Sequence, residues 1–222
     1  LKEHIGRTKK GQGINQKGDP FSDDQQILDF LKTLPIDSPF KKDADAATRW
    51  NNAFCLMAEL GLRPTEVNKL IIKKDPTTKE FYWFCTYEKK GGGGTTEPRR
   101  IEPLPLLDRD GKEVQWNLID RFRANLLPLP DRVDGDACKV YLQRREGWKQ
   151  LKEMMKKKEG SNLVPYSFRH YYSLRGHIAG IDSGSMASSM GHSIEAHHRA
   201  YPYSSKASTT NAFKQARERL KA

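Results

Sequence analysis

A run of glycines at positions 91–94 is the feature that most constrains how this chain can fold. Consecutive glycines lose too much conformational entropy to lie inside a helix or a strand, so these residues are expected to form a loop. The aromatic-rich residues 80–88 precede the run and residues 99–104 follow it, and both segments are typical of β-strands. We therefore predict an antiparallel hairpin with a long tip, which Lys89 and Lys90 make basic.

Most of the remaining chain has the apolar spacing of helices. Ser22 is a candidate N-cap for a first helix, and Asp43 for a longer second one. Gly61 is placed to end the second helix in a left-handed conformation, and Pro64 to begin a short helix. The predicted fold class is mainly α with one small antiparallel β-sheet or hairpin. Further helices are predicted at residues 64–70, 116–126, 138–158, 167–179, 184–190, 194–201 and 206–221.

The length and the first residues indicate the domain organisation. A chain of 222 residues is long enough for one domain with a substantial core. Residues 1–20 are rich in Lys, Gly, Gln and Asn and lack hydrophobic periodicity, so we expect a linker or disordered arm there. A single domain is expected at residues 21–222. Because the chain begins with Leu rather than Met, we expect a fragment of a longer protein.

The formal net charge is +11, from 39 Lys and Arg against 28 Asp and Glu. This surplus favours a polyanionic partner, although a basic protein without such a partner fits the charge equally well. Cys55, Cys85 and Cys138 lack metal-ligand spacing and are expected to be reduced thiols. No apolar run reaches the ~18 residues of a membrane span and no signal peptide opens the chain, so we expect a cytoplasmic protein without a membrane partner.

Short motifs in a fixed order indicate chemistry on a phosphodiester. Two guanidiniums bind a phosphodiester bidentately and stay charged while negative charge develops on its oxygens. A tyrosine hydroxyl within reach of them is a candidate nucleophile. The motifs are Gly61-Leu-Arg63-Pro-Thr-Glu66, Tyr166-Ser-Phe-Arg169-His170, Met190-Gly-His192 and, nine residues after that histidine, Tyr201.

The order of these motifs, with a lysine-tipped hairpin after the first, resembles the catalytic domain of the tyrosine recombinases, the phage integrase family, over residues 21–222. The resemblance implies the tyrosine recombinase catalytic-domain fold. It also implies a site-specific recombinase that cleaves and rejoins DNA through a 3′-phosphotyrosyl intermediate, for integration or excision of a DNA element, without metal, ATP or other cofactor. The alternatives are cleavage like that of a type IB topoisomerase and a catalytically weak DNA-binding domain.

The resemblance also implies roles for the matching residues. Tyr201 would be the nucleophile, with Tyr203 as its rival. Arg63 and Arg169 would hold the scissile phosphate, and His192 would donate a hydrogen bond to it. These four residues would make up most of the catalytic site.

A lysine on the hairpin would complete the site as the general acid toward the 5′-oxygen. Lys90 is the first choice and Lys89 the alternative, because adjacent strand residues point to opposite faces. Tyr166 stands where most family members have histidine, and a phenol with a pKa of about 10 is a poor base that can still donate a hydrogen bond. This departure resembles an atypical subgroup of cyanobacterial recombinases that excise DNA elements, so we include Tyr166 in the catalytic site. Glu66 is expected to orient an arginine.

Other basic residues are candidate DNA contacts: Lys73, Lys74, Lys89, Arg99 and Arg100. Arg144, Arg145, Lys149, Lys152 and the lysines at 156–158 are further candidates, with a solvated helix face as the alternative. His170 is expected to orient other residues, and His177, His197 and His198 to lie on the surface. The family implies that the partner is double-stranded DNA. It also implies that the protein is a monomer without DNA and a homo-tetramer on DNA, and that an N-terminal DNA-clamping domain is missing from this chain. A bacterial, nucleoid-associated protein is expected.

Overall fold

The computed structural model describes residues 18–89, 95–201, 213, 217 and 218. Lys90, the glycine tip, the rival tyrosine Tyr203 and most of the predicted last helix lie outside the described residues. The helices are α1 (Asp24–Lys32), α2 (Lys41–Leu60), α3 (Leu118–Arg123), α4 (Gly135–Gln143), α5 (Glu146–Glu159), α6 (Ser167–Ile178), α7 (Ser183–Met190) and α8 (Ile194–Ala200), with a 3-10 helix at Pro64–Lys69. The strands are β1 (Leu70–Lys74), β2 (Phe81–Cys85) and β3 (Arg99–Ile101).

The first two helices follow the predicted spacing and differ in their caps. Asp23 rather than Ser22 caps α1, because its carboxylate accepts a hydrogen bond from the Gln26 backbone N–H at 2.8 Å. Helix α2 begins at Lys41, with Phe40 at the N-cap position, and ends at Gly61, whose φ of 62° is left-handed. Helix α2 buries an apolar stripe at spacings of three and four residues: Ala47, Trp50, Ala53, Phe54, Met57 and Leu60.

The sheet has three antiparallel strands in the order β1-β2-β3, rather than the hairpin alone. Leu70 pairs with Cys85, and Trp83 pairs with Ile101, so these apolar side chains share the inner face. Strand β1 was not predicted, because it takes its stability from pairing with β2, which no local pattern records. The short helix expected at residues 64–70 is a 3-10 helix that ends where β1 begins.

The single helix predicted at residues 138–158 is wrong, since α4 and α5 are separate helices. Asp134 caps α4 by accepting from the Ala137 backbone N–H at 2.8 Å. The chain then turns at Arg145, whose φ of −98° and ψ of 121° are extended. An extended residue cannot continue a helix, so α5 starts afresh and packs Trp148 and Leu151 inward.

An aromatic cluster holds α2 and α6 together. The rings of Phe54 and Phe168 stack with centroids 5.3 Å apart and planes 6° apart. Phe21 packs against Phe168 at 5.0 Å, and Phe30 and Trp148 join the same cluster. Because Arg169 follows Phe168 on α6, this packing fixes the direction of the next side chain. Within the described ranges, no helix combines the length and apolar character needed to cross a membrane.

Candidate active site

One cleft of about 810 Å³ brings together the predicted site residues from distant parts of the chain. Arg63 comes from the junction after α2, and Tyr166 and Arg169 come from the start of α6. His192 follows the left-handed Gly191 that ends α7, and Tyr201 ends α8. The cleft residues from the predicted catalytic set are Arg63, Tyr166, Arg169, His192 and Tyr201.

Glu66 is a fully buried carboxylate that three arginines share. Its Oε1 lies 2.6 Å from Arg63 Nη1 and 3.0 Å from Arg99 Nη2, and its Oε2 lies 3.5 Å from Arg169 Nη1. Burial raises the pKa of the Glu66 carboxyl, but the charges of Arg169, Arg99 and Arg63 outweigh it and hold the pKa below its ordinary value. Three positive charges thus face one negative charge, so the cluster of these four side chains has a net charge of +2.

The guanidinium of Arg169 is 1% exposed and is held by groups of the protein. Nη1 donates to the Gly61 carbonyl at 2.6 Å, and Nη2 donates to the Met190 carbonyl. The carbonyls belong to the ends of α2 and α7, where helices leave backbone acceptors unpaired. Arg169 therefore joins the C-terminal ends of α2 and α7, and these ends are followed in the chain by Arg63 and His192.

His192 accepts a hydrogen bond from Arg169. Its Nε2 lies 2.8 Å from Arg169 Nη2, and a guanidinium has only donors, so the imidazole proton must be on Nδ1. Burial and the charges of Arg169 and Arg63 lower the pKa of His192 far below its ordinary value. The ring is therefore neutral at neutral pH, and it offers Nδ1–H as its donor.

Tyr201 lies 2% exposed among aromatic rings. Its ring centroid is 4.8 Å from that of His197, 5.6 Å from that of His170 and 6.0 Å from that of His192. Burial raises the pKa of the Tyr201 phenol, while the charge of Arg169 and a side-chain hydrogen bond with it oppose the rise. The phenol is therefore protonated in the free protein and lies beside a guanidinium that would stabilise its anion.

Tyr166 occupies the rim of the cleft. It is the N-cap residue of α6, its side chain is 38% exposed, and its ring lies 6.1 Å from that of His170. The position is open to a ligand, in contrast to the burial of Tyr201.

His177 and His197 are buried, so the expectation of a surface location was wrong for both. Their Nε2 atoms are 2.9 Å apart, and one must donate to the other. Burial lowers the pKa of both rings, that of His197 to about 4. A usable signal was present in the sequence, because His197 lies one helical turn before Tyr201.

The basic residues predicted to contact DNA separate into exposed and buried ones. Lys73 and Lys74 lie on the exposed part of β1, and Lys73 Nζ is 3.3 Å from the centre of the Phe84 ring. Arg100 is half-exposed and stacks on Tyr82. Arg99 differs, because its side chain is 9% exposed and is directed inward onto Glu66.

Lys89 is exposed and pairs with Thr96 across the base of the hairpin loop. The two backbones exchange hydrogen bonds of 3.0 Å each. Lys139 and Lys152 also line the cleft, on α4 and α5. The sequence placed Lys152 in a basic helix but gave no sign that Lys139 belongs beside the site.

The comparisons with known proteins agree with this fold. The solved structure of the XerH site-specific recombinase in a post-cleavage complex superposes with a TM-score of 0.50 at 11% identity, over 94% of this chain and 55% of that one. The predicted tyrosine recombinase catalytic-domain fold is thereby confirmed. The Tn1549 transposon integrase, solved with circular intermediate DNA, gives a TM-score of 0.48 at 16% identity, over 92% of this chain and 68% of that one.

A curated relative matches part of the chain. Excisase A of Nostoc sp. (strain PCC 7120) is 26% identical over 163 residues, which are 71% of this chain and 31% of that protein. The chain thus spans about a third of the length of this relative. No protein-family model matches the chain.

Proposed function

We propose that this chain is the catalytic part of a site-specific recombinase that cleaves and rejoins DNA through a 3′-phosphotyrosyl intermediate. The observation that carries the proposal is the charge beside the phenol of Tyr201. Arg63 and Arg169 line the cleft with that phenol, and together with Arg99 they share the single carboxylate of Glu66 behind it. A phosphodiester has one negative charge and an attacking phenolate adds a second. The buried surplus of two positive charges therefore matches the dianionic transition state.

The reaction uses each residue at a named atom. Tyr201 gives up its phenol proton to solvent, its Oη attacks phosphorus, and the bond from phosphorus to the 5′-oxygen breaks. A hairpin lysine donates a proton to the departing oxygen, which becomes a 5′-hydroxyl, and solvent returns a proton to the lysine. Arg63 and Arg169 hold the non-bridging oxygens, and His192 donates to one of them through its N–H. Since the phosphotyrosyl ester conserves the bond energy, another 5′-hydroxyl can reverse the step without ATP or metal.

The general acid is a hairpin lysine, and the strand pairing favours Lys89 over Lys90. Directly paired residues of antiparallel strands project to the same face. Thr96, the partner of Lys89, is buried and its Oγ1 lies 3.4 Å from the Gly191 carbonyl. Lys89 thus belongs to the face that meets the turn before His192.

Binding of the scissile phosphate requires local movement in the cleft. Arg63, with 16% of its side chain exposed, is the most accessible guanidinium of the three on Glu66. Tyr201 and the His192 to Arg169 hydrogen bond bury Arg169 in the free protein. We propose that the phosphate first contacts Arg63 and then replaces His192 as a partner of Arg169.

Double-stranded DNA is the proposed partner. Lys139 and Lys152 line the cleft, and Lys73, Lys74 and Arg100 add basic groups on the sheet. The match to an excisase and the fold shared with a recombinase solved on DNA support this partner, and the excisase supports excision as the direction. We place the catalytic domain at residues 21–222 and expect an N-terminal DNA-clamping domain in the full protein.

Strand exchange between two duplexes breaks four strands, so four copies of Tyr201 are required. We therefore propose a homo-tetramer on DNA that forms from monomers, acting on DNA in the bacterial nucleoid. Mass measurements of the protein alone and on a two-site DNA test this assembly. A tetramer without DNA, or a monomer on synaptic DNA, would contradict it.

Covalent capture tests the chemistry without a known target. A pool of nicked duplexes with randomised sequence is incubated with the protein, and denaturation-resistant protein–DNA adducts are recovered and sequenced. The nick lets the short 5′-hydroxyl fragment diffuse away, so cleavage is trapped. We expect a peptide of the adduct to carry DNA on Tyr201 and the recovered DNA to share one sequence.

Two variants control this experiment. Tyr201→Phe should give no adduct, whereas Tyr172→Phe, which removes a buried phenol that donates to the Glu102 carbonyl, should give the wild-type amount. An adduct that persists in Tyr201→Phe and disappears in Tyr203→Phe would identify the rival nucleophile. Relaxation of supercoiled plasmid without sequence preference would favour a topoisomerase, and absence of any adduct would favour a DNA-binding domain.

A further inference from the structure

We infer that Arg99 is a positioning residue, which sets the turn that carries His192 and requires glycine at position 191. The inference rests on the proposed function, because it assigns a role to a side chain outside the five predicted catalytic residues of the cleft. It replaces the expectation that Arg99 contacts DNA.

The side chain of Arg99 joins three parts of the fold. It leaves β3, donates from Nε to the Ser189 carbonyl at 2.7 Å, and donates from Nη2 to Glu66 Oε1 at 3.0 Å. Ser189 lies at the end of α7, two residues before the turn. One guanidinium therefore ties the sheet to the shared carboxylate and to the helix end that precedes His192.

Gly191 provides an independent observation. A Cβ at this position would lie 2.8 Å from both Cζ and Nη1 of Arg99, closer than any ordinary contact. The φ of 65° is left-handed, which by itself favours glycine. The guanidinium thus packs directly on the α-carbon of the turn, and the glycine before His192 has a steric reason as well as a conformational one.

Two further side chains contact the backbone of the turn at Gly191. The Gly191 carbonyl accepts from Arg63 Nη2 at 3.3 Å and lies 3.4 Å from Thr96 Oγ1. Because Arg63 and the turn share this contact, a shift of the turn moves both His192 and Arg63. Arg99 Nη1 is buried and has no hydrogen-bond partner among the described residues, consistent with packing on Gly191 rather than contact with solvent.

The neighbouring arginine gives the contrast. Arg100 points to the other face of β3, is 48% exposed and pairs with Asp75 and Glu102. Its exposure suits a phosphate contact, whereas the 9% exposure of Arg99 does not. The two residues are equal in charge and adjacent in sequence, and only the strand alternation separates their roles.

Single-turnover cleavage with the captured DNA sequence tests the inference. Arg99→Ala should reduce the rate of adduct formation at saturating DNA about 30-fold or more, because small misplacements of reacting groups cost this much. The Kd for DNA should change less than about 3-fold, and Arg99→Lys should recover part of the rate since it returns the charge to Glu66. Arg109→Ala, which removes an equal charge from a side chain 75% exposed on Asp29, is the matched control and should keep both values. Weaker DNA binding with an unchanged rate at saturation would overturn the inference in favour of a DNA contact.

A double-mutant cycle tests the contact with Gly191. Gly191→Ala should slow cleavage, and its effect should be at least about 5-fold smaller when Arg99 is already alanine, since the close contact is then gone. Equal effects in the two backgrounds would contradict the steric part of the inference.

Nuclear magnetic resonance of the free protein tests the positioning role without DNA, and therefore independently of the proposed function. Arg99→Ala should shift or broaden the ring signals of His192 while the thermal unfolding remains cooperative, and Arg109→Ala should leave them unchanged. If the wild type forms no adduct but these shifts occur, the recombinase proposal fails and the positioning role stands. Unchanged His192 signals in Arg99→Ala would overturn the positioning role itself.

Discussion

Nη2 of Arg169 lies 2.8 Å from Nε2 of His192, and this single contact determines where the imidazole carries its proton. Since arginine cannot accept a hydrogen bond, Nε2 is the acceptor and Nδ1 holds the hydrogen. Nδ1 is buried and has no hydrogen-bond partner within the described part of the chain. In the free protein Arg169 therefore sets the tautomer in which Nδ1–H is the donor that His192 can offer to a phosphate oxygen.

The first prediction concerns the tautomer of His192. In the free protein its ring should be neutral, with the proton on Nδ1, between about pH 5 and 8, because burial and the charge of Arg169 lower its pKa. Ring nitrogen chemical shifts of His192 measured across this range check it. A titration of His192 near neutral pH, or a proton on Nε2, would contradict the assigned contact.

The second prediction concerns the shared carboxylate. Glu66→Gln should lower the free energy of unfolding by about 3 kcal/mol, because removing one partner of a buried ion pair leaves uncompensated charge. Glu102→Gln, at an ion pair whose carboxylate is 59% exposed, should cost less than about 1 kcal/mol. Urea unfolding at pH 7 measures both. Equal losses in the two variants would show that the buried cluster does not contribute to stability.

The third prediction is a loss of stability in weak acid. The folded-state pKa values of His177 and His197 are depressed, that of His197 from 6.5 to about 4, so the unfolded chain binds protons that the folded chain does not. The contribution of these histidines to the free energy of unfolding is fully present at pH values above their unfolded-state pKa. It falls as the pH decreases below that pKa, by about 1 to 2 kcal/mol for His197 between about pH 7.5 and 5.

Urea unfolding at both pH values measures this loss. His197→Gln should lose less stability on acidification than the wild type. The same loss in both proteins would exclude His197 as its source.

The fourth prediction identifies the general acid. Lys89→Ala should slow cleavage about 100-fold, and a substrate with sulfur in place of the bridging 5′-oxygen should restore most of the rate, because a thiolate leaves without a proton. Tyr201→Phe should not respond to the sulfur substrate. Lys90→Ala is the matched comparison, and rescue of this variant instead of Lys89→Ala would return the role to Lys90.

The fifth prediction concerns Tyr166. Tyr166→His should retain cleavage within about 10-fold, because the residue lies at the open rim and the exchange keeps a hydrogen-bond donor there. Tyr166→Phe, which keeps the ring without the hydroxyl, is the control and should be slower than Tyr166→His. A loss of more than about 100-fold in a folded Tyr166→His that binds DNA would mean that the local site depends on the phenol.

Local patterns predicted most of the elements, and their errors have physical causes. The stripe of α2 and the stop at Gly61 follow from side-chain spacing and from one left-handed residue. Strand β1 is five residues long and takes its stability from pairing with β2, which no local pattern records. The break at Arg145 was missed because the apolar spacing continues across it.

The sequence alone determined the identities and order of Arg63, Arg169, His192 and Tyr201, because each lies in a short motif with its own spacing. It also limited the fold to helices around one hairpin, since backbone preferences are local. Only the tertiary structure decided that Arg99 faces Glu66 while Arg100 faces solvent, and that His177 lies against His197. Burial and charge sharing arise between segments that are far apart in the chain, so they come into existence only when those segments pack together.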